Sequence, residues 1–370
     1  MRSDNVKAFY ALVKAGLWEK DINLSENGEI DFGDVCRLAD EQSVVGLVAA
    51  GMEHVKDVKI PQEIALTLAG SALQLEQRNL AMNKFLANTV RDLRAKGIYT
   101  LLVKGQGVAQ CYERPLWRAS GDIDFYLSEE NYKKAQDYLL PLSTSSEKSH
   151  SGKHLEMTID GWVVEIHGWL RGGLSSRINR ALDEVQRQTF NEGNVRSWTN
   201  DGIQIFMLGK ENDVFYVFAH FLNHFYKGGI GLRQICDWCR QLWTYRDTLD
   251  SKRICDSIRL AGLMTEWKAF AAFAVEYLGM PESAMPFYSE DAKWKRKADR
   301  ISSFILNVGN MGHNRDNSYY RKYPYVMRKA ISLGRRCGDL ARHAMIFPLD
   351  SFKFLPYVVF VGIRSASRGD

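Results

Sequence analysis

Gly121-Asp122-Ile123-Asp124-Phe125 is the stretch on which the reading of this chain turns. In an extended strand successive side chains alternate between faces, so Asp122 and Asp124 project side by side while Ile123 and Phe125 turn into a core. Two carboxylates held this close repel, and one takes up a proton unless a cation lies between them. Residues 98–103, Ile-Tyr-Thr-Leu-Leu-Val, read as a preceding strand rich in β-branched and aromatic side chains. Lys104-Gly105-Gln106-Gly107 follows as a turn and 108–112 as a short helix, an arrangement that offers backbone N–H groups to an anion. Taken alone, Asp-x-Asp is equally well two solvated carboxylates at a strand end. The order strand, glycine turn, helix, acidic strand is what a site joining a divalent cation to phosphates requires.

A second acidic strand is predicted at 162–167, Trp-Val-Val-Glu-Ile-His. Asp160-Gly161 separates it from 154–159, and this dipeptide favours a two-residue type I′ hairpin. Counting outward pairs Ile159 with Trp162, Glu156 with Glu165, and His154 with His167. Glutamates facing each other destabilise a ladder unless something compensates. A solvent-facing polar side is one reading, and it stays open for Glu156 and His154. Val164 and Ile166 mark the opposite face as buried, so Glu165 is read as a third carboxylate, a metal ligand or general base, with His167 beside it. Three carboxylates suit two Mg2+ (or Mn2+) ions, about 3.5–4 Å apart, that hold the attacking and leaving oxygens of a phosphoryl displacement. Lys104 and Arg118 are the cations at hand, lysine as a point charge and arginine as a bidentate fork for phosphate. Arg118 serves equally as a salt bridge to one of the aspartates.

Leu102-Val103-Lys104-Gly105, Tyr112-Glu113-Arg114-Pro115-Leu116-Trp117-Arg118, Asp122-Ile123-Asp124 and Val164-Glu165-Ile166-His167-Gly168-Trp169, in that order, resemble the bacterial "uncharacterised nucleotidyltransferase" family of the polymerase-β-like superfamily. The resemblance spans roughly residues 35–250. It implies an α+β fold with a small mixed sheet and flanking helices, metal-binding Asp122 and Asp124, and a third acidic residue at Glu165. It also implies a nucleoside triphosphate as substrate and an acceptor hydroxyl on a small molecule, a protein or RNA. The wider superfamily carries a serine after the turn glycine, where this chain has Gln106. Lys104 and the backbone of Gly105, Gln106 and Gly107 are therefore expected to take over the triphosphate contact. A catalytically silent nucleotide- or RNA-binding module of the same fold is the alternative.

The expected organisation is an N-terminal helical region (1–95), an α/β core (96–210) and a C-terminal helical region (211–370). The N-terminal helices are expected to pack over the sheet and frame the acceptor side. His220 and His224 stand four apart on one helix face, but Phe221 occupies the place of a metalloprotease glutamate, so they are read as a packed or cleft-lining pair. Arg233 and Asp237 open the next helix, and the resemblance places all four in a helical part that closes over the nucleotide. Residues 293–368 hold 16 Lys and Arg against 4 Asp and Glu, while the rest holds 33 against 40. Tyr319, Tyr320, Tyr323 and Tyr325 interleave with Arg321, Lys322 and Arg328, which suits either a single-stranded nucleic acid or a basic face offsetting the acidic half.

With 45% hydrophobic residues the chain can bury a sizeable core. Its longest apolar runs, such as 358–363, fall well short of the roughly 20 residues that span a bilayer, which argues against membrane insertion. Met1-Arg2-Ser3-Asp4-Asn5-Val6 lacks the layout of a signal peptide. Six scattered cysteines, including a lone Cys236-x-x-Cys239, fit neither a disulfide framework nor a zinc site, so no disulfide-linked partner and a reducing, cytoplasmic location are expected.

Overall fold

A computed structural model describes residues 3–148, 153–172, 174–310, 324–354 and 356. The chain begins with α1 (Ser3–Trp18), α2 (Phe32–Glu41), α3 (Val45–Glu53) and α4 (Gln62–Ala95). Pro61 precedes α4, where its missing N–H leaves no helical bond unmade. The helix then runs for 34 residues and stops before Gly97, whose φ of 70° suits glycine.

The α/β part follows as β1 (Leu101–Val103), α5 (Gly105–Ala109), β2 (Asp122–Tyr126), α6 (Glu129–Leu139), β3 (Ser145–Lys148), β4 (His154–Ile159), β5 (Trp162–His167), α7 (Ser176–Phe190), β6 (Val195–Asn200) and β7 (Ile203–Leu208). The strands form one mixed sheet in the order β3-β4-β5-β2-β1-β7-β6. β2 runs parallel to β5 and β1 parallel to β7, while the other neighbours are antiparallel. At the β4–β5 turn Asp160 and Gly161 have φ of 50° and 80°, the paired positive values of a type I′ turn. The register is the one counted from the sequence, with His154 opposite His167 and Glu156 opposite Glu165.

Alternation along these strands separates a dry face from a polar one. Ile123, Phe125, Val164, Ile166, Leu155 and Met157 are buried against Met82, Leu86, Val90 and Leu93 of α4 and Tyr132, Ala135 and Leu139 of α6. Asp122, Asp124, Glu165, His167 and His154 therefore share the other face. Of the N-terminal helices, α4 backs the sheet while α1, α2 and α3 pack into the helical core of the C-terminal part, and none of the described residues up to 95 lines the cavity over the polar face. Burial decides this: the apolar stripe of α4 can only meet the apolar face.

The chain continues as α8 (Lys210–Lys227), α9 (Leu232–Tyr245), α10 (Ser251–Ala261), α11 (Met264–Leu278), α12 (Ala292–Val308) and α13 (Tyr325–Ile346). Phe218, Phe221, Phe225, Trp238, Trp267 and Phe270 form its centre, all fully buried. Cys236 and Cys239 are free thiols inside α9.

Two local expectations shift. β1 is only three residues long, because its partner β2 ends at Tyr126, opposite Leu101, and leaves 98–100 unpaired. The short helix starts at Gly105 rather than at 108, so the glycine "turn" is the first turn of α5. Tyr319, Tyr320, Arg321, Lys322, Tyr323 and the apolar 358–363 lie outside the described residues, as does the side chain of Tyr325. No helix among the described residues is long and apolar enough to cross a membrane.

Candidate active site

Asp124 sits beside Glu165 across the parallel β2–β5 ladder, one step along from Asp122. Ligand oxygens of Asp122, Asp124 and Glu165 all lie within 4.8 Å of one another. Asp124 is buried; its Oδ1 takes Lys104 Nζ at 2.6 Å and His167 Nε2 at 2.9 Å. Its Oδ2 is buried with no hydrogen-bond partner among the described residues. A bare carboxylate oxygen beside two further carboxylates fits a hard divalent cation, which prefers oxygen ligands. The charge of Asp124, with burial, pushes the Asp122 carboxyl up. Burial acts the same way on Glu165, but hydrogen bonds from His154 and His167 and the charge of Lys104 outweigh it and hold its carboxyl far down. Burial opposes charge on His167 too, yet Asp124 and Glu165 raise it.

Lys104 closes β1 and precedes α5 with φ 59° and ψ −148°, a conformation that lysine rarely adopts. Strain of this kind, of order 1–3 kcal/mol, persists where the surroundings hold it, as at active sites. Burial lowers its ammonium, but Asp124, Tyr216, Asp122 and Glu165 more than restore the charge. A Cβ at Gly107 would lie 2.9 Å from Met207 Sδ, so a larger residue there would displace that side chain. The Gln106 side chain serves the fold, leaving its backbone as the part available to the site. Its side chain is buried in the opposite direction, donating to Asn79 Oδ1 at 2.8 Å, and Asn79 in turn donates to the carbonyls of Leu116 and Arg118 at 2.7 and 2.8 Å. The amide thus braces the loop leading into β2 instead of reaching a phosphate.

Arg118 is likewise committed, and its partner is neither Asp122 nor Asp124. Nε and Nη2 donate to Asp237 at 2.7 and 2.6 Å, and Nη1 donates to Ala119 O and Ser120 Oγ. Tyr112 Oη completes the set on Asp237 at 2.8 Å. Arg233, one turn before Asp237, donates to Ala119 O at 2.8 Å, and its Nε is buried without a partner among the described residues. Burial and the nearby Arg118 pull its guanidinium down.

These groups line a cavity of about 440 Å3 between the polar sheet face and helices α7, α8 and α9, within the size range of small-molecule sites. His220 and His224 are on its wall, with their Nε2 atoms 3.0 Å apart. One ring therefore donates to the other, as neutral imidazoles do. Burial, then the charge of Lys104, lowers both, His224 to about 4. The sequence reading missed Tyr216 and Asn223 on the same wall. Both lie on the helix face of the histidine pair, at spacings of four and three from His220, so the periodicity that marked the pair also marks them. Asn223 Oδ1 is buried without a partner among the described residues. Trp169 also lines the cavity, with Lys153 and Arg171 each 5.2 Å from its ring centre.

The model of the uncharacterised nucleotidyltransferase family matches residues 28–279. The chain belongs to that family. Membership in this nucleotidyltransferase family points to a transferase acting on a nucleotide, and the site sits wholly inside the matched residues apart from Asn310 at the cavity edge. A solved structure of an antigenic nucleotidyltransferase-like protein from Paracoccidioides brasiliensis is similar at 11% identity and a TM-score of 0.33, over 50% of this chain and 87% of that one. No curated protein matches the chain.

Proposed function

We propose that this family member is a metal-dependent nucleotidyltransferase with a polymerase-β-like core, moving a nucleoside monophosphate from a nucleoside triphosphate to an acceptor hydroxyl with release of pyrophosphate. The observation that carries the reading is the meeting of Asp122, Asp124 and Glu165 on the wall of a cavity, in a chain of a nucleotidyltransferase family. These three residues would hold Mg2+ or Mn2+, two ions on this reading, which when bound neutralise phosphate oxygens and acidify the acceptor hydroxyl.

The remaining work falls to the chain's own side chains, and it is positioning and charge placement. Lys104 supplies positive charge to the triphosphate, together with the backbone of Gly105, Gln106 and Gly107. Arg233, whose hydrogen bond among the described residues goes to the Ala119 carbonyl, is the second phosphate-facing cation in place of Arg118. Arg118 and Asp237 orient the loop before β2. Glu165, held ionised by two histidines, serves as a ligand rather than as a base. His220 and His224, kept neutral by burial, line the acceptor side of the cavity as hydrogen-bonding groups.

The test is to incubate the full chain with each α-labelled nucleoside triphosphate, Mg2+ and a cell lysate, measuring pyrophosphate and the size and chemistry of any labelled product. Pyrophosphate release that a chelator abolishes is expected, with label in a small molecule, a protein or RNA. Absence of pyrophosphate with every nucleotide overturns the reading and leaves the silent binding module.

A further inference from the structure

His154, Glu165 and His167 form a second group whose ligand atoms lie within 4.8 Å of one another. His154 Nε2 is 3.0 Å and His167 Nε2 3.3 Å from the same oxygen, Glu165 Oε2. The type I′ turn creates the arrangement: it places His154 directly opposite His167, and the rings stack with centroids 4.7 Å apart and planes 20° from parallel. Ligand atoms about 2.0–2.2 Å from one tetrahedral or octahedral ion are separated by roughly 2.9–3.4 Å. Both nitrogen–oxygen separations fall in that range. His154 keeps 33% of its side chain exposed, which gives an ion a way in.

We infer that His154, His167 and Glu165 bind a first-row transition cation, such as Zn2+, Co2+ or Mn2+, at a position distinct in chemistry from the all-oxygen Asp122–Asp124 side. Two imidazoles and one carboxylate suit such ions, whereas Mg2+ favours oxygen alone. The inference touches the proposed function only by sharing Glu165. It needs no nucleotide and no turnover, so it stands or falls separately.

The test uses the full chain freed of metal by a chelator and titrated with Co2+ alone, following the visible absorption of a nitrogen-ligated ion, then with Zn2+ against a chromophoric chelator. One tightly bound Co2+ per chain is expected, displaced by Zn2+. His154→Gln and His167→Gln are each expected to weaken it at least about tenfold, the scale on which even residues behind the ligands act. Asp122→Asn is expected to leave it within about threefold. In the unmutated chain loaded with Mn2+, pulsed electron paramagnetic resonance is expected to show imidazole nitrogen coupling, a readout that does not depend on any variant folding. No Co2+ binding, loss in Asp122→Asn but not in His154→Gln, or no nitrogen coupling would each overturn the inference and leave the contacts as hydrogen bonds.

Discussion

Arg118 grips both carboxylate oxygens of Asp237, at 2.7 and 2.6 Å, and so ties the loop entering β2 to helix α9 across 119 residues of sequence. Both side chains are almost wholly buried. Removing one partner of such a pair leaves an uncompensated charge in the interior, at a cost of about 3–5 kcal/mol. Arg118→Met is therefore expected to lower stability by that amount in denaturant unfolding, and Arg118→Lys by less, because lysine keeps the charge but cannot make the two-pronged contact. A loss under about 1 kcal/mol in both variants would show that the pair does not join the two parts.

Much of this site was legible in the sequence, for reasons that are local. Asp160-Gly161 defined the turn, the turn defined the register, and alternation then put Glu165 and His167 on the face of Asp122 and Asp124. The same signal, Asp201-Gly202, stood unread between β6 and β7, where φ of 50° and 72° make the same turn. What was not legible depends on which distant group a side chain meets. Gln106 and Arg118 have the chemistry of phosphate ligands, but Asn79 and Asp237 claim them from helices far along the chain. β3 was missed because Ser145-Ser146-Glu147-Lys148 is polar on both faces, as an edge strand can be.

Asp122 stands in a cluster where its neighbour's charge raises its carboxyl. Replacing one of two repelling carboxylates relieves the folded state. Asp122→Asn is expected to raise the melting temperature measured in chelator while lowering metal-dependent turnover about 100-fold or more. A variant that melts lower and turns over normally would contradict both halves.

Lys104 combines an ion pair with a left-handed backbone. Lys104→Ala and Lys104→Gly both lose the ammonium, but only glycine accepts φ 59° without strain. Glycine is expected to be the milder substitution by about 1 kcal/mol, the reverse of the order in an ordinary helix. Denaturant midpoints at a common slope measure it, and alanine proving the milder would place no strain at this residue.

Glu266, fully buried in α11, has its carboxyl raised to about 8 by burial and by the charge of Asp350. The folded chain therefore keeps a proton that the unfolded chain releases near the ordinary value of 4.5. Stability from this group is present below that lower value and is lost as pH rises toward 8, by up to about 1.4 kcal/mol per pH unit. Glu266→Gln keeps an acceptor for Tyr226 and removes the titration. Its melting temperature is expected to gain on the unmutated chain steadily from pH 5 to pH 8; a constant difference would mean that Glu266 is ionised throughout.

The claim that Asp122, Asp124 and Glu165 form a nucleotidyl-transfer centre is tested most directly by a paired comparison of two glutamates that face each other in the β4–β5 ladder. Glu165 lines the cavity and Glu156 does not. Transfer of α-phosphate label from a nucleoside triphosphate to acceptor should be measured for the unmutated chain, Glu165→Gln and Glu156→Gln across a Mg2+ titration. The expected result is transfer by the unmutated chain and Glu156→Gln within about twofold of each other, with Glu165→Gln reduced about 100-fold and shifted to higher Mg2+. Equal activity in all three, or no labelled product from the unmutated chain at any Mg2+ concentration, would contradict it.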